Sequence, residues 1–159
     1  MAASPIPPGM STITPHLAVR GAAQAMDFYK KAFGAVEVMR MPGPDGQSVA
    51  HGEMKIGNSI FFIADEWPGM ELAAPQKFGG TTVSIHLYVE NCDALYNQAV
   101  GAGCNATMPL MNMFWGDRFG KVTDPFGHSW SIATHIENVS PAEMAKRGAE
   151  AMKNMGKSC

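Results

Sequence analysis

The sequence lacks the features that mark several large classes of protein. Its 159 residues contain no apolar run long enough to cross a bilayer, and no Lys/Arg-rich stretch of the kind that binds nucleic acid. Twelve basic and fourteen acidic side chains give a formal net charge of −2, so neither sign dominates. The start of the chain does not combine a charged segment with an apolar one, as a secretory signal peptide does. We therefore expect a soluble protein that binds neither membranes nor nucleic acids.

Cysteine is also scarce. The three cysteines, Cys92, Cys104 and Cys159, are odd in number and show no CxxC or disulfide-framework spacing. This pattern predicts free thiols in a reducing cytoplasm. Glycine and methionine are plentiful by contrast, at 17 and 13 residues. They predict many turns, and an interior or a pocket lined by adaptable apolar side chains.

A repeat is hidden in the chain. His16 in "PHLAV" and His86 in "IHLYV" stand 70 positions apart, and "GNSIFFIAD" from Gly57 and "GHSWSIATH" from Gly127 have the same spacing. Each histidine segment is followed by a stretch with helical periodicity, and then by segments that alternate as strands do. Two matched blocks at one spacing predict a tandem β-α-β-β-β duplication.

The boundaries of the two halves follow from local signals. Apolar residues recur at helical spacing from Ala25 to Phe33, and Gly34 stands where a helix C-terminal glycine belongs. Near the end of the chain, Ser140 and Glu143 form a capping box that predicts a further helix. The predicted organisation is a flexible tail (1–12), a first module (13–66), a linker (67–81), a second module (82–137), and a C-terminal helix and tail (138–159).

The duplicated unit, with its DPxG turn before the last strand, resembles the vicinal oxygen chelate superfamily of glyoxalases, bleomycin-resistance proteins and dioxygenases. The most specific motif is "GKVTDPFGHSW" (120–130), and the longer segment 115–135 is most similar to the PhnB-like branch. The resemblance implies an α+β fold of two open, curved sheets, each partly wrapped into a cavity. It also implies a homodimer, in which the cavity lies within one chain or between two.

In metal-dependent members of this superfamily, four ligands come from the first and last strands of each module, commonly two His or Gln and two Glu. Matched strand by strand, these positions hold His16 and Phe61 in the first module, and His86 and Ser131 in the second. The chain thus keeps both imidazoles and lacks both carboxylates. Phenylalanine cannot coordinate a metal, and a neutral serine hydroxyl is a poor substitute for a carboxylate.

We therefore favour no tightly bound cofactor, with a divalent metal as the open alternative. If a metal binds, the expected ligands are His16 and His86 together with Glu53 or His51, which share one face of the third strand. That set would depart from the arrangement that the superfamily uses.

Two functions of different class fit these residues. The favoured one is binding of a small apolar or aromatic compound in a cavity, without chemistry. Its predicted lining is His16, Phe61, His86, Ser131, Trp115 and Met113. The alternative is a metal-dependent lyase, isomerase or dioxygenase of the glyoxalase type. Without a metal, either repeated histidine could serve as a general base, so the sequence leaves open whether the chain is an enzyme.

Three further expectations concern neighbouring residues. Because successive strand residues point to opposite faces, Trp130 should pack under the helices if Ser131 faces the cavity. Asp117 and Arg118 should form a turn with a local ion pair. His128, directly after the DPxG turn, should be a capping or surface residue.

Overall fold

The computed structural model describes residues 3–69 and 71–155. In chain order its elements are β1 (His16–Val19), α1 (Ala22–Phe33), β2 (Val36–Pro42), β3 (Val49–Ile56), β4 (Ser59–Asp65), α2 (Pro75–Phe78), β5 (Ser84–Tyr88), α3 (Cys92–Ala102), β6 (Asn105–Asn112), β7 (Asp117–Thr123), β8 (Ser129–His135) and α4 (Pro141–Met155). This confirms the predicted α+β fold of two β-α-β-β-β units with a C-terminal helix. The short helix α2 lies between the units.

Parts of the predicted tails and linker lie outside the described residues. These are residues 1 and 2, residue 70, and residues 156–159, which include Cys159. Within the described part, Cys92 and Cys104 are buried free thiols. No helix in that part is both long and apolar enough to cross a membrane.

The eight strands form two four-stranded sheets, in the orders β1-β4-β3-β2 and β5-β8-β7-β6. In each sheet the first strand of the unit pairs in parallel with the last, and the other pairs are antiparallel. The parallel pairing sets His16 opposite Phe62 in the first sheet and His86 opposite Ser131 in the second.

Helices α1 and α3 pack against each other and contact the strands of their own units. The helical face predicted for α1 is buried, and the helix ends at Gly34, whose φ of 65° suits glycine and whose N–H donates to the carbonyl of Tyr29. Trp130 of β8 is fully buried and meets Tyr29, Phe33 and Phe61 of the first unit, with ring centroids 4.4–6.1 Å apart. The two units therefore share one core, and the prediction that Trp130 packs under the helices is confirmed.

The DPxG turn is fixed by its aspartate. Asp124 is buried, and its Oδ2 accepts hydrogen bonds from the Tyr29 hydroxyl at 2.7 Å and from Trp130 Nε1 at 2.8 Å. Its Oδ1 accepts the backbone N–H groups of Phe126 and His128. The aspartate of the motif thus ties the turn to α1 and to β8 at once.

His128, predicted to be a capping or surface residue, does not lie at the surface. Its ring is buried, and Nε2 lies 2.9 Å from the carbonyl oxygen of Ala18 in β1. A buried imidazole needs a hydrogen-bond partner, and the Ala18 carbonyl supplies one. The histidine therefore joins the second unit to the first strand of the first unit.

The C-terminal helix begins as predicted. The Glu143 N–H donates to Ser140 Oγ at 3.3 Å, and Arg147 pairs with Glu143 one turn further on. At Gly148, a side chain would lie within 3.3 Å of the Phe114 ring, so the glycine allows α4 to approach the loop between β6 and β7.

Candidate functional site

Each sheet has one face that α1 and α3 do not cover, which we call its outer face. In β4, Phe61 and Ile63 point into the core, so Phe62 between them points outward. In β3, a side chain at Gly52 would meet Met26 of α1, so its neighbours His51 and Glu53 point outward. The first outer face therefore carries His16, His51, Glu53 and Phe62. The second outer face carries His86, Tyr88, Asp117, Phe119, Ser131 and His135, which follow from the registers of β5, β7 and β8.

The first outer face brings two imidazoles beside an aromatic ring. The ring centroid of His16 lies 6.1 Å from that of His51 and 5.9 Å from that of Phe62. His51 Nε2 is 3.5 Å from Glu53 Oε1. Burial and the neighbouring His51 both hold the pKa of His16 below its usual value. His16 is therefore a neutral imidazole at pH 7, able to accept a hydrogen bond or a proton.

The structure corrects the placement of Phe61. The sequence offset of 70 matched Phe61 with Ser131, but the strand pairing makes Phe62 the counterpart of Ser131. Phe61 is only 6% exposed and packs in the core against Tyr29 and Trp130. It does not line an outer-face site.

The cause of that error is a register difference between the two units. The outer-face partner of the repeated histidine is residue 62 in one sheet and residue 131 in the other, an offset one short of 70. A shift of one residue moves a strand side chain to the opposite face of the sheet. Phe62, like Phe61, supplies no metal ligand. The corrected register therefore still places no carboxylate at the ligand position of the first unit.

The second outer face is aromatic. The His86 ring lies 4.5 Å from the ring of Tyr88 and stacks on Phe119 at 5.8 Å, with 21° between the planes. Trp115 meets Phe119 edge to face at 5.8 Å. Burial holds the pKa of His86 below its usual value, against the opposing effect of the Asp117 charge. Trp115, predicted as a lining residue, therefore belongs to the same cluster as His86.

A buried carboxylate organises this aromatic cluster. Asp117 is 2% exposed, and it accepts hydrogen bonds from the Tyr88 hydroxyl at 2.8 Å and from Trp115 Nε1 at 3.0 Å. His135 Nδ1 lies 2.7 Å from its other oxygen. The predicted local pair of Asp117 with Arg118 is wrong, because Arg118 reaches Asp93 at the start of α3 instead.

The two remaining residues that were predicted to line the cavity, Ser131 and Met113, are not part of the aromatic cluster. Ser131 is buried beside His86 in register, and its hydroxyl lies 3.1 Å from that of Ser84. Met113 follows β6, is half-buried, and donates its backbone N–H to the carbonyl of Asp117 at 2.7 Å. Ser131 thus lies on the second outer face, whereas Met113 is joined to the start of β7 by a backbone hydrogen bond.

A cleft of about 320 Å³ opens beside His16 at the edge of the first outer face. It is lined by His16, Pro44, Ala50, Ala64, Asp65, Trp67 and Leu72. The Asp65 carboxylate is already engaged, since it accepts the backbone N–H groups of Gly21, Ala22 and Val49. The wall is therefore mostly apolar, and its polar groups are the neutral His16 imidazole and the hydrogen-bonded Asp65 carboxylate. We call this space the apolar cleft.

Sequence reasoning missed Trp67 and Leu72, because both lie in the segment predicted to be a linker. The signal was a large aromatic residue in "DEWPG", where a turn would otherwise carry small or polar residues. The indole is held by the loop between β2 and β3: a side chain at Gly43 would lie 2.9 Å from Trp67 Cη2. The missing side chain at Gly43 therefore leaves room for the indole next to this loop.

The donor set does not fit the metal that the superfamily resemblance implied. Of the positions expected to hold carboxylates, one is Phe62 and the other is Ser131. Among residues 3–69 and 71–155, no three His, Cys, Asp or Glu side chains come close enough together to hold a metal ion. The alternative metal ligands expected from the sequence are divided between the two sheets. His16, His51 and Glu53 lie on the first outer face, and His86 lies on the second. We therefore derive no chemical step through a metal.

The fold and the sequence together define the class. Residues 10–132 match the family model of the Glyoxalase/Bleomycin resistance protein/Dioxygenase superfamily, so the chain belongs to that superfamily. It is similar to the uncharacterized protein Rv0887c of Mycobacterium tuberculosis, with 42% identity over 135 residues that cover 83% of this chain and 79% of the relative.

Solved structures share the fold. The crystal structure of TioX from Micromonospora sp. ML1 has a TM-score of 0.64 at 23% identity, covering 79% of this chain and 99% of that one. The PhnB protein from Bacillus cereus has a TM-score of 0.60 at 20% identity, covering 78% of this chain and 99% of that one. At these identities the likeness concerns the fold alone.

Proposed function

We propose that the protein binds a small, largely apolar or aromatic compound in the apolar cleft, without a tightly bound metal. The observation that carries the proposal is the cleft itself. Its volume of about 320 Å³ lies within the range of small-molecule sites, which are mostly apolar with a few polar groups that orient the ligand. Here the polar groups are the imidazole of His16 and the hydrogen-bonded carboxylate of Asp65, and the aromatic wall is Trp67.

We also propose that the chain forms a homodimer of the PhnB-like type, in which a partner covers the outer faces. The support is the apolar surface that the single chain exposes. Met39 and Met41 of β2 are 40% and 50% exposed, and Tyr88 and Met111 of the second sheet are 64% and 46% exposed. Apolar sheet faces of this kind mark contact surfaces in proteins. The PhnB-like assignment rests on the motif around Asp124 and on the shared fold.

The second candidate function is an enzyme. A metal-dependent lyase, isomerase or dioxygenase would need ligands that Phe62 and Ser131 do not supply. A metal-free reaction is favoured by one observation, the neutral His16 beside the pair of His51 and Glu53. In that reaction His16 would take a proton from the bound compound as a general base.

Fluorescence titration with N-phenyl-1-naphthylamine, a neutral aromatic probe, tests the binding proposal. We expect saturable binding to the unmodified chain, and binding about tenfold weaker in Trp67→Ala, because the indole supplies much of the apolar contact area. Phe78→Ala is the matched control, since Phe78 is a 69% exposed aromatic residue that does not line the cleft. Equal affinity in Trp67→Ala and in the control would rule out the apolar cleft as the binding site.

A further inference from the structure

A second cleft adjoins the apolar cleft. Its volume is about 250 Å³, and its wall consists of Arg20, Glu66, Trp67, Pro68, Gly69, Ala73 and Lys77. Trp67 lines both spaces. We call the second space the cationic cleft, because two of its side chains are basic and one is acidic. A ligand lying against Trp67 in one cleft is therefore adjacent to the other.

The charges of the cationic cleft do not cancel. Arg20 Nε donates to Glu66 Oε1, and the other carboxylate oxygen accepts the Ala74 N–H at 2.9 Å. The hydrogen bond from the Ala74 N–H has the largest effect and that from Arg20 the next, and together they hold the pKa of Glu66 below its usual value. The carboxylate is therefore ionised at pH 7. The charge of Lys77 also helps to lower the pKa of Glu66, but Lys77 makes no close ion pair with a described residue, and its Nζ lies 5.7 Å from the ring centre of Phe78. Two cations against one carboxylate leave one net positive charge within the cationic cleft, and the Asp65 carboxylate of the adjoining apolar cleft is already bound by three backbone N–H groups.

Both basic groups keep donors for a ligand. Arg20 uses only its Nε towards Glu66, and its side chain is 55% exposed, so the terminal nitrogens of the guanidinium are accessible to solvent. Lys77 has three N–H donors on a flexible stem. A carboxylate, sulfonate or phosphate group is the chemistry that such a pair recognises.

We propose that the compound bound by this protein is an amphipathic organic anion. Its apolar or aromatic body lies in the apolar cleft against Trp67, and its acidic group lies in the cationic cleft at Arg20 and Lys77. This inference rests on the proposed function and narrows its ligand class. The neutral His16 in the wall of the apolar cleft accepts a hydrogen bond from a polar group on the body, if one is present.

Two probes that share one aromatic body test the inference. N-phenyl-1-naphthylamine is neutral, and 8-anilinonaphthalene-1-sulfonate is the corresponding anion. We expect the anion to bind the unmodified chain about five- to tenfold more tightly at low ionic strength, as charge-assisted contacts at partly exposed sites allow. Added salt should reduce this preference, because exposed charges are screened.

Single substitutions separate the charge from the apolar contacts. Arg20→Gln and Lys77→Gln should each weaken binding of the anion about threefold or more and leave binding of the neutral probe unchanged. Glu66→Gln should strengthen binding of the anion, since it removes the opposing charge and keeps an acceptor for the Ala74 N–H. Lys55→Gln is the charge-matched control, because Lys55 of β3 is exposed and lines neither cleft.

The outcomes distinguish the inference from the proposed function. Equal affinity for the two probes, together with no effect of the charge substitutions, would overturn the anionic ligand class and leave the apolar cleft as a binding site. Failure of both probes to bind the unmodified chain would overturn the proposed function as well. Unchanged affinity for the neutral probe in the charge variants verifies that those variants are folded.

Discussion

At the residue scale, two buried aspartates orient the aromatic side chains. Asp124 fixes Tyr29 and Trp130 in the core, and Asp117 fixes Tyr88 and Trp115 on the second outer face. Strand alternation was enough to predict that Trp130 and Ser131 face opposite ways. It could not predict these bonds, because Asp124 and Tyr29 are 95 positions apart and no local pattern joins them.

We predict that the pKa of His135 is raised by its two hydrogen bonds. Its Nε2 faces Asn138 Oδ1 at 3.0 Å and its Nδ1 faces Asp117 Oδ1 at 2.7 Å, so both ring nitrogens act as donors in the charged form. The hydrogen bond to Asn138 has the largest effect and that to Asp117 the next, and together they raise the pKa of His135 above 6.5. The stabilisation from this pair is therefore complete below pH 6.5 and is lost as the pH rises through the folded-state pKa.

Nuclear magnetic resonance titration of the histidine ring protons checks the direction of this pKa shift. We expect His135 to titrate above 6.5 and His16 and His86 to titrate below it. Asp117→Asn should lower the pKa of His135, because it removes the charge that favours the imidazolium. A His135 pKa at or below that of His16 would contradict the arrangement of these hydrogen bonds.

At the element scale, the helices were predictable and the register of β4 was not. Apolar periodicity and Gly34 located α1, and Ser140 with Glu143 located the start of α4. The segment "SIFFIAD" places two phenylalanines side by side, so alternation alone does not say which of them faces the core. That choice is made by the pairing of β4 with β1 and by the packing of Trp130.

Paired substitutions test the register. Phe61→Ala should lower the free energy of unfolding by about 3–5 kcal/mol, as for other buried phenylalanines. Phe62→Ala should cost only about 1 kcal/mol, since its ring is half-buried on the outer face. Urea denaturation measures both values, and a larger loss in Phe62→Ala than in Phe61→Ala would show that the sequence offset of 70 was right.

At the scale of the whole molecule, the modular plan could be predicted and the clefts could not. The repeat of His16 and His86 indicated two similar units, and the motif around Asp124 indicated the superfamily. The apolar cleft combines a strand edge with Pro44 from one loop and Leu72 from the segment between the units. No periodicity in the sequence links these positions, because they meet only through tertiary packing.

The proposed homodimer is tested at this scale. Size-exclusion chromatography with light scattering should give twice the mass of one chain. The double substitution Met39→Asp and Met41→Asp should shift the mass towards one chain, because it places charges on the outer face of β2. Met152→Asp is the control, since Met152 is a 73% exposed methionine on α4. A monomeric unmodified chain would contradict the proposed dimer.

The proposed binding of a small apolar compound requires no metal. The most direct test is titration of N-phenyl-1-naphthylamine into protein treated with EDTA and passed through gel filtration. We expect saturable binding of one probe per chain, with an affinity that does not change when Ni, Zn, Mn or Fe(II) is restored. Binding that appears only after a metal is restored, or no saturable binding at all, would rule out metal-free binding in the apolar cleft.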